Sequence, residues 1–234
     1  MKSRTLILSC EHGGARIPSR YRHLFGTDAA RKALRSHRGS DLGAIQLARS
    51  VQRGLGAPLY ASTVTRLLVD LNRSIGHPRL FSEFSKDLKR EERADLLEQH
   101  YLPHRRAIES SIAGHARGGR QVVHVCVHSF APRIDEQVRT ADLGLLYDPS
   151  RASERAFAND WRVALHSVHP GLRVRRNYPY LGKADGLATH LRSVFGPQQY
   201  IGIELEVSQG VLGTAESRRR IAKAITQSLQ VAIR

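Results

Sequence analysis

The chain has 234 residues, 41% of them apolar, and sets 37 Lys and Arg against 21 Asp and Glu for a formal net charge of +16. That length can bury one sizeable core and that composition excludes a disordered chain. No apolar run reaches the ~18 residues of a membrane span, and the first residues make a poor signal peptide.

In chain order, an apolar strand is predicted over residues 5–9, ended by a Gly-Gly turn at Gly13 and Gly14. A helix follows over 40–55, with Asp41 in its first turn and Leu42, Ile45, Leu47, Ala48, Val51 and Leu55 on an apolar stripe. Residues 58–63 read as a second strand and 67–71 as a further apolar run. The charged stretch 83–114 reads as mostly helical, with Pro103 marking a kink or break. "QVVHVCVH", 121–128, is the clearest strand, because valine fits a pleated buried surface. A strand over 143–147, a helix over 154–169, an irregular loop "NYPYLGKAD" over 177–185, a strand over 199–207 and an amphipathic helix over 216–233 complete the reading.

No repeat, low-complexity tract or Gly/Ser/Pro linker divides the chain, so one domain over 1–234 is expected. Alternating strands and helices predict an α/β fold: a three-layer α/β/α sandwich with a mixed, mostly parallel central sheet. In such folds chemistry gathers beyond the carboxyl ends of the strands. The two cysteines, Cys10 and Cys126, both lie in apolar strand-like runs. They point to reduced thiols in a cytoplasmic protein rather than a disulfide framework. The positive charge is spread out, with no basic tail and few aromatics among the arginines. The charge would draw the chain toward anions, acidic small molecules and nucleic acid alike, and its spread argues against nucleic acid.

Polar residues cluster where strands end: Glu11 and His12, His128 and Ser129, Glu204 and Glu206. A fourth segment, "TRLLVDLNRS", holds Arg66, Asp70, Asn72 and Arg73. A hydrolytic zinc site needs about three protein ligands, usually His and a carboxylate, plus a separate carboxylate to take a proton from water. His12, His128 and the acidic residues could meet that demand. Two other readings stay open on the residues alone. Cys10, His12, Cys126 and His128 could form a closed zinc site, or Cys10 could be a nucleophile beside His12.

The segments "SCEHGGARIP", "SDLGAIQLA", "TRLLVDLNR", "YLPHRRAI", "VVHVCVHSF", "RTADLGLLYD", "RNYPYLGKADG" and "IELEVSQ" together resemble the N-formylglutamate amidohydrolase family. That family is similar in fold to zinc carboxypeptidases. The resemblance implies one Zn2+ held by His12, Asp41 and His128, with Glu206 as general base. "HSF" at His128 resembles a carboxypeptidase zinc-ligand segment, and Asn72-Arg73 resembles its carboxylate-binding pair. The carboxypeptidase His-x-x-Glu motif is absent, because Ala15 stands three residues after His12. Asp41 is therefore chosen as the acidic ligand, with Glu11 as the alternative; Glu204 is the alternative base.

By this resemblance Glu206 and Arg73 are the candidate catalytic residues. Asn72, Arg73, Arg66, Arg139, Asn177 and Tyr180 are the candidate substrate-binding ones. The implied reaction is hydrolysis of the amide of a small N-acyl amino acid such as N-formylglutamate. A carboxypeptidase-like or cell-wall amidase is the nearest rival. A non-catalytic basic protein that binds anions or nucleic acid is the reading from another class.

Overall fold

A computed structural model describes residues 3–234. In chain order the elements are β1 (Arg4–Cys10), α1 (Asp28–Leu34), α2 (Ala44–Leu55), β2 (Leu59–Ala61), α3 (Arg90–Leu96), α4 (Leu102–Arg117), β3 (Gln121–Phe130) and β4 (Arg133–Ile134). They continue with β5 (Gln137–Val138), β6 (Leu143–Leu146), α5 (Ala152–Val168), β7 (Val174–Arg176), α6 (Leu187–Val194), β8 (Tyr200–Ser208) and α7 (Ala215–Ala232).

Six strands form one sheet in the order β2-β1-β3-β8-β6-β7. The first four run parallel, whereas β6 lies antiparallel to β8 and carries β7 parallel to itself. The sheet is mixed and mostly parallel. β4 and β5 form a separate short hairpin.

Strand alternation gives the sheet two different faces. Leu6, Leu8 and Cys10 of β1, Val123, Val125 and Val127 of β3, and Ile201, Ile203, Leu205 and Val207 of β8 join one core. Leu47 and Val51 of α2, Phe157 and Trp161 of α5, and Ile221 and Ile225 of α7 close it. Each such aliphatic side chain contributes roughly 1.5–3 kcal/mol on burial. On the opposite face Ile7, Val122 and Tyr200 pack on Ile108 and Ile112 of α4 and on Leu187 and Leu191 of α6. This is the three-layer α/β/α arrangement expected from the sequence. Further along that second face the residues in step turn polar: Ser9, His124, Cys126, His128, Glu204 and Glu206. The register sets Cys126 opposite Glu204 and His128 opposite Glu206. Chemistry therefore collects at the carboxyl ends of the parallel strands, on one side of the sheet.

Three details differ from the sequence reading. The helix predicted from residue 40 begins at Ala44, because Gly43 takes the left-handed conformation at φ 83° and stops it from running back. Asp41 thus sits in a turn, free to face β3. The apolar run 67–71 forms turns rather than a strand. Leu67 and Leu68 pack on Tyr21, Phe25 and Leu96, and Val69 and Leu71 pack on Leu80 and Tyr101. Pro103 does not interrupt the helix: a π-turn over Leu97–Tyr101 leads straight into α4, where proline occupies the first turn. The widened turn accommodates a residue with no N–H to give. The short elements α1, β7 and α6 go unread in the sequence, although α6 sets Leu187, Ala188 and Leu191 on one buried face.

Candidate active site

β1 ends at Cys10, and Glu11 and His12 occupy the turn that follows. The glycines after them are demanded by close backbone packing. A Cβ on Gly13 would lie 2.7 Å from the Ser62 carbonyl oxygen, and one on Gly14 2.8 Å from that of Thr63. The Asp41 N–H donates to the His12 carbonyl at 2.9 Å, tying the turn before α2 to the end of β1. His128 comes from the last turn-ward residues of β3, its ring centroid 5.1 Å from that of His12.

His12, Asp41 and His128 are all buried, and each offers a ligand atom within 4.8 Å of the others. The rings are tilted 54° to one another, and both turn Nδ1 toward Asp41. His12 Nε2 meets Asp70 Oδ1 at 2.7 Å, which leaves Nδ1 facing Asp41 Oδ2 at 3.5 Å with no hydrogen-bond partner. His128 Nδ1 lies 2.9 Å from the same Asp41 oxygen, while its Nε2 lies 3.2 Å from Glu11 Oε2. Two imidazole nitrogens and one carboxylate oxygen therefore converge, each ring backed on its far side by another carboxylate. This donor set, with an orphaned buried Nδ1, suits zinc.

Opposite charges hold the cluster together. Burial works to raise the Asp41 and Asp70 carboxyls, but His12 and its neighbours, His128 for Asp41 and Arg66 for Asp70, outweigh it. Both sit well below the usual carboxylate range. Burial likewise opposes charge on His128, and Asp41 and Glu11 override it, raising that imidazole. Glu206 behaves differently. Burial, with help from Asp41 and Glu204, holds its carboxyl up at about 7 against the pull of His128 and Arg66. Its Oε2 is buried with no hydrogen-bond partner.

The cluster forms the floor of a cavity of about 280 Å³. Asn72, Arg66 and Arg73 line it, as do Tyr180, Glu204 and Glu206. Arg66 is committed to the floor: Nη2 donates to Asp70 at 2.8 Å and Nη1 to Asp41 at 3.4 Å. Arg73 donates from Nη1 to the Asp185 carbonyl at 2.8 Å. Asn72 Oδ1 accepts the Leu187 N–H at 2.7 Å, with its amide nitrogen 3.5 Å from Glu204 Oε1.

Two expected substrate contacts do not line the cavity. Asn177 takes a left-handed backbone at φ 49°, and its Oδ1 accepts the N–H groups of Tyr147 at 3.0 Å and Gly182 at 3.1 Å. It is committed to folding its loop. Arg139 stacks on the Tyr180 ring, 5.0 Å from its centroid, and donates to the Tyr180 hydroxyl at 3.0 Å. It holds a cavity-lining tyrosine instead of lining the cavity. Glu11 stands behind His128, on the far side of the ring from Asp41. Cys10 points into the apolar core, away from Cys126, and burial raises both thiols well above their ordinary range. A four-ligand Cys/His site and a Cys10 thiolate both lose their basis. Sequence reasoning gave no role to His104, Asp185, Arg79 or His37; His104, inside "YLPHRRAI", and Asp185, inside "RNYPYLGKADG", had a signal there.

The model of the family described as N-formylglutamate amidohydrolase matches residues 4–212. A gene product from Agrobacterium tumefaciens has a similar structure, with a TM-score of 0.84 at 27% identity, covering 99% of this chain and 91% of that one. An N-formylglutamate amidohydrolase from Ralstonia eutropha JMP134 superposes with a TM-score of 0.76 at 19% identity, covering 99% and 94%. The CwlD amidase from Clostridioides difficile follows with a TM-score of 0.50 at 13% identity, covering 100% and 98%. For the last two the likeness is one of fold. No curated protein matches the chain.

Proposed function

We propose that this chain, which belongs to the N-formylglutamate amidohydrolase family, is a zinc-dependent hydrolase that cleaves the amide of a small N-acyl amino acid, N-formylglutamate being the representative substrate. The observation that carries the reading is the convergence of His12 Nδ1 and His128 Nδ1 on Asp41 Oδ2, beside the unpartnered Glu206 carboxylate.

His12, Asp41 and His128 would hold the ion. Zinc, when bound, supplies Lewis-acid chemistry: it polarises a carbonyl oxygen and makes water more acidic. Glu206 removes a proton from the attacking water and returns it to the amine nitrogen as the C–N bond breaks. The products are a carboxylic acid, formate for a formyl substrate, and the free amino acid. Arg73 with Asn72 receives the substrate α-carboxylate. Arg66 steadies the floor by pairing with Asp41 and Asp70, and Tyr180 lines the approach. The buried, protonated thiols suit a reducing compartment, the cytoplasm. Among the described residues no helix is long and apolar enough to cross a membrane.

Metal analysis of the purified chain, paired with a screen of N-formyl amino acids, N-acetyl amino acids and peptides, tests the proposal. Stoichiometric zinc and turnover of N-formyl or N-acetyl amino acids are expected. Turnover of peptides alone would transfer the reading to a carboxypeptidase-like or cell-wall amidase. Absence of metal, with no rescue by added zinc, would remove the mechanism.

A further inference from the structure

Glu11 has no part in the reaction above, yet it is completely buried, at 0% exposure, beside its residues. Its Oε2 lies 3.2 Å from His128 Nε2, and among the described residues both buried atoms are otherwise without a hydrogen-bond partner, each the only polar group the other could pair with at that side of the ring. Its Oε1 lies 3.3 Å from Nε2 of His104, which projects from the first turn of α4. The arrangement mirrors the other imidazole. There Asp70 backs His12 at 2.7 Å, and Arg66 backs Asp70 at 2.8 Å. In each arm a carboxylate faces Nε2 of a ring and a further group holds the carboxylate: Arg66, four residues from Asp70 on the same segment, in one arm, and His104 of α4 in the other.

A carboxylate accepts and cannot donate, so its imidazole neighbour must present an N–H to it. Asp41 faces Nδ1 in the same way at 2.9 Å, so when a metal ion takes Nδ1 the N–H that stays is the one on Nε2, held by Glu11, and Nδ1 offers its lone pair. We propose that Glu11 and His104 are positioning residues: His104 donates to Glu11, and Glu11 fixes the ring orientation and tautomer that present His128 Nδ1 to a metal ion. The proposal rests on the reading of His12, Asp41 and His128 as zinc ligands. His104 acts at one remove, so its effect is the smaller of the two. A purely structural role for Glu11 would change stability without changing the affinity of the folded protein for metal.

The test uses the full chain, stripped of metal and titrated with zinc against a chromogenic chelator at fixed neutral pH. Glu11→Gln, which keeps the shape and removes the charge, weakens zinc binding about 10- to 100-fold. His104→Phe, which keeps a ring and removes the donor, weakens it less, and His104→Gln, which restores an N–H donor, recovers part of the loss. In the zinc-loaded protein the Nε2 proton resonance of His128 moves in Glu11→Gln and in His104→Phe. Zinc affinities within about twofold of the parent in both folded variants overturn the proposal and leave the hydrolase reading standing. If Glu11→Gln does not fold, the His104 pair decides the matter alone. Complete loss of zinc in Glu11→Gln with retention in Asp41→Asn also overturns it, by making Glu11 the ligand. A parent chain that takes up no divalent metal overturns the ligand reading itself, and this proposal with it.

Discussion

Asp70 Oδ1 lies 2.7 Å from His12 Nε2, and the other Asp70 oxygen accepts from Arg66 Nη2 at 2.8 Å. One buried carboxylate thus orients an imidazole and neutralises a guanidinium. An amide in its place has one oxygen, so it no longer accepts from both groups, and it carries no charge to neutralise Arg66. Asp70→Asn is expected to destabilise the fold by about 3 kcal/mol, the lower end for breaking a buried ion pair. For a chain of this size that corresponds to a fall of roughly 6–12 °C in melting temperature. Thermal unfolding followed by circular dichroism measures it. A parent-like melting temperature would mean that the Asp70 charge is not needed there.

Glu204 and Glu206 share one face of β8, but the register sets only Glu206 opposite His128. Glu204 stands two residues earlier on the strand, opposite Cys126, half-buried with Asn72 as its neighbour at 3.5 Å. Glu206→Gln is expected to lower kcat about 10²- to 10⁴-fold, the scale of a lost general base, while zinc content stays at the parent level. Glu204→Gln is expected to keep most of the activity. Steady-state kinetics on the zinc-loaded variants decides between them, and the reverse ranking would move the base role to Glu204.

Much of this arrangement is legible in the sequence because strand alternation carries it. The valine-rich β3 declares its apolar face, and the same period puts His124, Cys126 and His128 on the other, which is buried too. The strand–helix succession likewise gives the mixed α/β/α sandwich. What cannot be read is distance between segments far apart in the chain. Nothing in the spacing says that Asp41 reaches His128, 87 residues away, or that Glu11 reaches His104, 93 residues away. Asn177 misleads because a polar residue in a loop looks available, whereas its amide replaces missing backbone partners in that loop. The helix start at Ala44 is hidden by Gly43, whose left-handed turn breaks an otherwise continuous apolar stripe.

Arg73, proposed above to receive the substrate carboxylate, is held in place from two sides. Its guanidinium is steadied by the Asp185 carbonyl at 2.8 Å, and its own carbonyl accepts the Tyr101 hydroxyl at 2.7 Å. A charge-assisted pair with a substrate carboxylate is worth about 1.5–3 kcal/mol. Arg73→Met is therefore expected to lower kcat/KM about 10- to 100-fold for N-acyl amino acids. An N-acyl amine that lacks the α-carboxylate should show no such loss. An equal loss on both substrates would argue that Arg73 shapes the cavity without touching the carboxylate.

His124 is fully buried in β3, with Nε2 2.8 Å from the Ser9 hydroxyl and Nδ1 2.9 Å from that of Tyr200. Hydroxyls can donate to one nitrogen and accept from the other, so the neutral ring is satisfied where it stands. Burial lowers its pKa to about 4, against a partial opposing pull from Glu11. An unfolded histidine titrates near 6.5. As pH falls the unfolded chain therefore binds its proton first, and folded stability declines between about 6.5 and about 4. Above that window the contribution is complete; below it no further loss comes from this residue. The full span is on the order of 3 kcal/mol, and about 2 kcal/mol of it is lost by pH ~5. Other titrating groups add their own slopes, so the difference from a His124→Gln variant is the quantity to measure. Denaturant unfolding at neutral pH and at pH ~5 should show the variant losing about 2 kcal/mol less than the parent. Parallel profiles for the two proteins would show that His124 titrates alike in the folded and unfolded chain, and a parent that gains on the variant as pH falls would show that it already carries its proton when folded.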